Sequence, residues 1–428
     1  MKNNSDTKFR NNIIWILFER IYSMLASLVV GALTARYLGP SNYGMLGYVT
    51  SIVGMLTPIA MMGLDSILVV ELSQRKEERG KILGSANTLR TIGTSVTIGI
   101  SLIVGMLIEP NNPLFIKMLI IQLLSVAVQI GNNFTFVFHA DLESKYVEIG
   151  NFIGLTAISI AKILFLANHC SVVWFSVAIL LQSFFSVGYI ILAFYRRKRI
   201  RMSTSWHEVR NLLDKGHHFI IISMSISILI YFDRIIIGRI LSEEAAGIYT
   251  AADTISTLWL FIPTAIITSF TPLIAEEYKQ NKDTYWFMQK KMYCIVTIIC
   301  IVISAGIVFF QDFVVQVLYG SDYTGITKVL WILLIASTLS VIGSARSVWI
   351  LCENLQKYAK WYVIGGAALN IVLDILFVPR LNILGAALST CLSQYVSVFI
   401  FPLISKKTSK FFRMYVGSFK VIKTLLRR

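Results

Sequence analysis

The chain has 428 residues, of which 56% are hydrophobic and only 14% are charged, and its mean hydropathy is +0.69. Soluble domains carry about 25% charged residues, so this composition excludes a soluble globular protein and predicts an integral membrane one. The formal charge of +16 would suit nucleic acid on a soluble basic face, but here the basic residues lie between apolar runs and read as loops at a membrane surface.

Apolar runs of about twenty residues match the length a helix needs to cross ~30 Å of hydrocarbon. In chain order they predict spans near 12–35, 45–70, 83–108, 114–138, 147–167 and 172–194, then 218–241, 247–274, 291–310, 326–350, 361–378 and 384–404. Helices are expected because each satisfies its own backbone in lipid. Lys2, Lys8 and Arg10 ahead of the first run imitate a signal peptide. That run carries Glu19-Arg20 and lacks a small-residue cleavage site, so it reads as a retained first helix. With the N-terminus inside, 29 of the 39 Lys and Arg fall in inside segments and five outside. The positive-inside rule then places both termini in the cytoplasm. The longest outer connection is 311–325.

The stretch from Tyr195 to His218 is the longest polar interruption, with seven Lys and Arg between Arg196 and Lys215. It divides the expected architecture into a six-helix lobe at 1–197, a basic cytoplasmic linker at 198–217, a second six-helix lobe at 218–404 and a basic cytoplasmic tail at 405–428. In the tail, Phe411, Phe412, Tyr415, Val416, Phe419, Ile422 and Leu426 recur at near-helical spacing among Lys and Arg. That pattern suits an amphipathic helix on an anionic inner leaflet. The halves echo each other. Ala35-Arg-Tyr-Leu38 precedes Gly44 as Gly238-Arg-Ile-Leu241 precedes Gly247, which suits two parallel repeats.

A charged side chain inside hydrocarbon costs about 2.5–3.5 kcal/mol on insertion scales, so it is expected to face a bundle interior or a watery cavity. Arg20 shares a helical face with Ser23, Ser27 and Thr34. Arg90 aligns with Thr94, Thr97 and Ser101, and Arg234 with Ser223, Ser227 and Tyr231. The three stripes predict a cationic cavity in which Arg20, Arg90 and Arg234 bind substrate; structural ion pairing is the competing explanation. Asp65 and Asp233 are candidate coupling or cavity acids, able to carry a proton or sodium ion, and Asp253 and Asp374 are further intramembrane acids. Arg346, near an inner helix end, is expected to snorkel to the interface. Pro58 and Pro263 are expected to kink the second helix of each half. Five cysteines without metal or redox spacing, and no Gly-x-x-x-x-Gly-Lys loop, predict neither a metal site, nor a cofactor, nor ATP hydrolysis.

Three motifs in register carry a family resemblance. Ala35-Arg-Tyr-Leu-Gly-Pro-Ser-Asn-Tyr-Gly44 resembles the segment after the first helix of Wzx-type polysaccharide flippases. Tyr231-Phe-Asp-Arg-Ile-Ile-Ile-Gly238 with Ala246-Gly-Ile-Tyr249 is similar to that family's seventh-helix signature. Leu369-Asn-Ile-Val-Leu-Asp374, Val378-Pro-Arg380 and Leu384-Gly-Ala-Ala387 resemble its eleventh-to-twelfth helix turn. The resemblance implies an all-α, MATE-like fold of about twelve transmembrane helices in two lobes. It implies a non-enzymatic flippase of the bacterial cytoplasmic membrane, moving undecaprenyl-pyrophosphate-linked oligosaccharide outward for O-antigen, capsule or related polysaccharide. The implied partners are that lipid-linked substrate, the membrane and polysaccharide polymerase machinery, with no nucleic acid. By motif only Asp233 and Arg234 carry over from the family. Two alternatives stay open: a membrane-embedded polymerase or ligase, which the short outer loops disfavour, and a cation-coupled drug antiporter of the same fold, which the arginine stripes disfavour.

Overall fold

The computed structural model describes residues 2–421, with side chains described from Trp15 onward except at 16–18, 66 and 421. The described residues are almost wholly helical. Among the described residues, eleven helices are long and apolar enough to cross a membrane. The first of them is two consecutive helices: α1 (Lys2–Met61) is broken at Gly39, whose φ of 68° and ψ of 170° are not helical. A left-handed φ is nearly free only for glycine. Pro40 then opens the next helix, where its missing N–H is no loss. The Ala35–Gly44 motif is therefore the turn between the first two spans, and twelve spans result.

The chain divides into two compact units, Met1–Ser227 and Ile228–Arg428. In unit 1, α1 is followed by α2 (Asp65–Gln74), α3 (Arg79–Ile108), α4 (Pro113–Val128), α5 (Thr135–Ala140), α6 (Lys145–Ala167), α7 (Val172–Arg197) and the first part of α8 (Trp206–Ile240). The expected second span at 45–70 is corrected here. It stops at Met61, because Met62 and Gly63 both take positive φ, and α2 restarts at Asp65. Gly63 also lies against α8: a Cβ there would come within 2.5 Å of the Gly216 carbonyl oxygen. Leu64, Leu68 and Leu72 then bury one stripe of α2 against Leu83, Phe138, Phe194 and Leu212.

Helix association inside lipid gains little from the hydrophobic effect and depends on close packing of small residues. Gly150-x-x-x-Gly154 on α6 serves this purpose. A Cβ at Gly154 would meet the Gln182 carbonyl of α7 at 2.7 Å.

The basic segment after α7 is strapped to unit 1. The backbone of Ser203 donates to Gly80 O at 3.1 Å, and Gly80 and Gly84 leave room only for the chain of Arg201 and Ser203. Arg75 grips Glu208 at 2.7 Å and Glu71 at 3.1 Å, and Lys215 reaches Glu71 at 2.5 Å. Asp141 is held by Arg79 at 2.7 Å and Lys198 at 2.5 Å. Burial pushes the Asp141 carboxyl up, but the hydrogen bonds from Arg79 and Lys198 outweigh it and hold the group below its ordinary range.

In unit 2, α8 continues to Ile240 and is followed by α9 (Glu243–Leu258), α10 (Phe261–Gln280), α11 (Lys282–Phe309), α12 (Gln311–Leu318), α13 (Ile326–Cys352), α14 (Gln356–Leu381), α15 (Ile383–Tyr395), α16 (Phe401–Ile404) and α17 (Lys410–Ser418). The expected span at 247–274 is broken between α9 and α10. Pro263 has no N–H to offer the Trp259 carbonyl, and Ile262 donates to it instead at 3.1 Å, tightening the turn. The connection 311–325 is in part regular, since α12 occupies its first half.

Arg346 is a second correction. It does not snorkel: it is 5% exposed. Its Nη1 donates to the carbonyls of Ser397 at 3.0 Å and Val398 at 2.6 Å, in the π-helical turn Val396–Ile400. A π turn leaves carbonyls outside the regular ladder, and this guanidinium satisfies them. In the tail, α17 buries Phe411, Met414 and Ser418, with Tyr415 hydrogen-bonded to Thr297 of α11 at 3.2 Å. Ile422 and Leu426 lie outside the described residues.

Candidate functional site: two buried polar clusters

Unit 1 places Arg90 on α3 with its side chain 1% exposed. Nη2 pairs with Asp65 at the head of α2, whose carboxylate is 64% exposed. The Phe136 ring lies 5.3 Å from the guanidinium carbon, within cation–π range. Nε and Nη1 are buried without a hydrogen-bond partner. The stripe expected to line a cavity with Arg90 is a packing face in this conformation: Thr94 is 3% exposed, and Thr97 and Ser101 are fully buried. Arg20 stands apart from this pair. It is exposed on α1, with Glu19 and Glu148 as its electrostatic neighbours.

Unit 2 brings together residues from four helices. Asp233 on α8 is 3% exposed. Its Oδ2 accepts the hydroxyls of Tyr249 on α9 and Thr390 on α15, and its Oδ1 accepts Asn370 Nδ2 of α14 at 3.3 Å. Asp374, one turn beyond Asn370 and fully buried, is an electrostatic neighbour of Asp233. Neither Asp374 oxygen is reached by a donor. Ionised carboxylates only accept, and two of them as neighbours in a dry site repel each other.

The neighbouring Arg234 belongs to a separate pair. It bonds Asp253 of α9 and lies 6.0 Å from the Tyr231 ring. The residue alternation along α8 therefore sends an acid and a base to different partners. Arg90 with Asp65, Arg234 with Asp253, and Asp233 with Asp374 all join residues singled out in the sequence. Tyr249, Asn370 and Thr390 were not singled out for a site. Tyr249 and Asn370 stand inside the recognised motifs, and the Asn370–Asp374 spacing of four on one helix was an available signal. Among the described residues no group of three or more His, Cys, Asp and Glu is placed to hold a metal ion.

Two six-span units with polar clusters inside them define a MATE-like membrane protein. The chain matches a structure described as "Lipid II flippase MurJ, inward closed conformation" with a TM-score of 0.72 and 16% identity, over 97% of this chain and 92% of that one. It matches an inward-facing multidrug resistance MATE family transporter with a TM-score of 0.72 and 14% identity, over 92% and 99% of the two chains. At such identities the likeness is one of fold.

Residues 9–278 match the family described as polysaccharide biosynthesis protein, and the chain belongs to that family. A protein of Escherichia coli (strain K12) named putative O-antigen transporter is 21% identical over 397 residues, covering 90% of this chain and 94% of its own. A protein of Haloferax volcanii named probable low-salt glycan biosynthesis flippase Agl15 is 24% identical over 204 residues, 45% of this chain and 41% of its own.

Proposed function

We propose that the chain is a flippase that moves undecaprenyl-pyrophosphate-linked oligosaccharide from the inner to the outer leaflet of the bacterial cytoplasmic membrane, for O-antigen, capsule or a related surface polysaccharide. Family membership and the names of its relatives support a glycan carrier. The observation that carries the pyrophosphate reading is Arg90, a guanidinium buried in a span with two nitrogens, Nε and Nη1, lacking a hydrogen-bond partner. A guanidinium presents a planar fork suited to phosphate oxygens. Arg20 and Arg234 supply further cationic groups, each within its own unit, and the chain acts as a carrier rather than as an enzyme. The termini lie in the cytoplasm, and a polymerase consumes the product outside.

Asp233 is the coupling acid, working with Asp374, and Asp65 tunes Arg90. A proton or sodium ion entering the Asp233 cluster changes its net charge by one, which is enough to favour one conformation of the carrier over another. The cargo itself carries about two negative charges, and each gains about 2.3 kcal/mol per 100 mV on moving outward from a cell that is negative inside.

The test is reconstitution of the purified chain in vesicles with fluorescent lipid-linked oligosaccharide. Flipping is expected to depend on the protein and to quicken under an inside-negative potential at equal pH and sodium. An absence of protein-dependent flipping with this substrate refutes the reading. Flipping that ignores voltage and follows a sodium or proton gradient alone assigns the drive to the acid cluster.

A further inference from the structure

Three segments far apart in the sequence meet at one end of unit 2: the start of α11, the turn from α13 to α14, and the turn before α17. They enclose a cavity of about 370 Å³ lined by Trp286, Trp349, Glu353, Lys357, Tyr358, Lys407 and Lys410, among others. By charge bias this is the end expected to face the cytoplasm. We propose that the cavity binds the phosphate of an anionic phospholipid headgroup, a role separate from carriage of the glycan.

The chemistry is one-sided. Three lysines line the cavity, Lys357, Lys407 and Lys410, and among the described residues none of them is ion-paired with a carboxylate. The one carboxylate in the lining, Glu353, is engaged by the Tyr285 hydroxyl at 3.3 Å. Trp349 adds a further donor: it is 1% exposed and its indole N–H has no partner. A phosphodiester accepts several such donors at once and neutralises part of the charge.

The surroundings favour a lipid over a free anion. Lys410, on the cavity wall, is also the first residue of α17. While α17 docks through Phe411 and Met414, it and the turn that follows expose Phe412, Val416 and Phe419, a stripe at helical spacing. Arg413 and Lys420 are exposed beside that stripe. An apolar stripe edged with basic residues sits at the boundary of headgroups and acyl chains, which sets the adjoining cavity at headgroup depth. Basic pockets between transmembrane helices on this side of a membrane bind such headgroups, and tryptophan and tyrosine rings are at home at the same level. A phosphate bound there would tie α14 to the turn before α17 and hold the tail helix on its bundle.

The purified full chain in non-ionic detergent is titrated with phosphatidylglycerol, cardiolipin or phosphatidylcholine, and separately with inorganic phosphate, while thermal unfolding is followed. The two anionic lipids are expected to raise Tm in a saturable way, and phosphatidylcholine and inorganic phosphate are not. The triple variant K357Q/K407Q/K410Q is expected to lose at least half of that shift. A triple variant with the same charge loss on unit 1, R196Q/R199Q/R201Q, is expected to keep it. Equal losses in the two triples would reduce the effect to net charge and overturn the site. An equal response to inorganic phosphate would overturn the lipid assignment. Should the first triple not fold, native mass spectrometry of K407Q alone decides, since fewer retained anionic lipids than in the parent are expected and an unchanged number sinks the proposal.

Discussion

Unit 1 buries a guanidinium and leaves its carboxylate partner largely in the open, whereas unit 2 buries two carboxylates and surrounds one of them with hydroxyl and amide donors. Both arrangements put charge where hydrocarbon penalises it, but what is left unsatisfied differs: guanidinium nitrogens in unit 1 and carboxylate oxygens in unit 2. Arg90 has donors to spare, and the Asp233–Asp374 pair has acceptors to spare. The two units thus carry different chemistry although both are built of membrane-length helices.

The largest effect is expected where that contrast is attacked in unit 2. Asp233→Ala leaves Asp374 without its neighbour and strands the donors of Tyr249, Thr390 and Asn370. Removing one member of a buried charged set costs about 3–5 kcal/mol, or about a hundredfold and more in an equilibrium. Transport, scored as surface polysaccharide at normal protein abundance, is expected to be lost. Asp374→Asn keeps the volume and should fold, while losing dependence on the coupling ion. A variant that keeps that dependence would break the assignment of the cation to this pair.

In unit 1 the sharper test compares Arg90→Ala with Arg90→Lys. Lysine keeps the charge but not the planar fork, so both are expected to lose most of the surface polysaccharide. Rescue by lysine would reduce Arg90 to a point charge. Asp65→Ala probes the other side of the same pair. Its cost in thermal stability is expected to fall between the ~1 kcal/mol of an exposed pair and the ~3–5 kcal/mol of a buried one, because only the guanidinium is buried. Arg346→Ala should cost about 1–3 kcal/mol, since it leaves buried carbonyls without a donor, and should spare transport by the folded fraction. A large transport defect at normal stability would add Arg346 to the functional set.

The smallest effect concerns the strap on unit 1. The Asp141 and Glu71 carboxyls are held below their ordinary range by basic neighbours, so their stabilisation is complete above the unfolded carboxylate value of about 4. It is lost as pH falls through the lower folded values. Lys198, raised by Asp141 and Glu143 against its own burial, contributes below its unfolded value of about 10 and fades as pH rises through the folded one. Melting curves of Asp141→Asn should therefore fall less steeply on acidification than those of the parent chain. Parallel curves would show that the Arg79–Asp141–Lys198 cluster adds nothing to the stability of the strap.

Apolar run lengths determined the twelve spans, because in lipid a helix must satisfy its own backbone whatever its neighbours are. Gly39-Pro40 marked the first turn for a reason equally local, a left-handed φ followed by a residue without an N–H. The intramembrane charges were legible for the same reason: each is costly enough to need a partner. Which partner each would take was decided only in three dimensions. Asp233 and Arg234 are adjacent in sequence yet belong to different clusters, and Tyr249, Thr390 and Asn370 reach Asp233 from separate helices. Arg346 looked like a residue near a helix end, and became a buried donor because α15 and α16 are joined by a π turn that only the fold places beside it. Periodicity records which face of a helix is apolar, whereas a hydrogen bond between helices depends on depth and rotation, which packing sets.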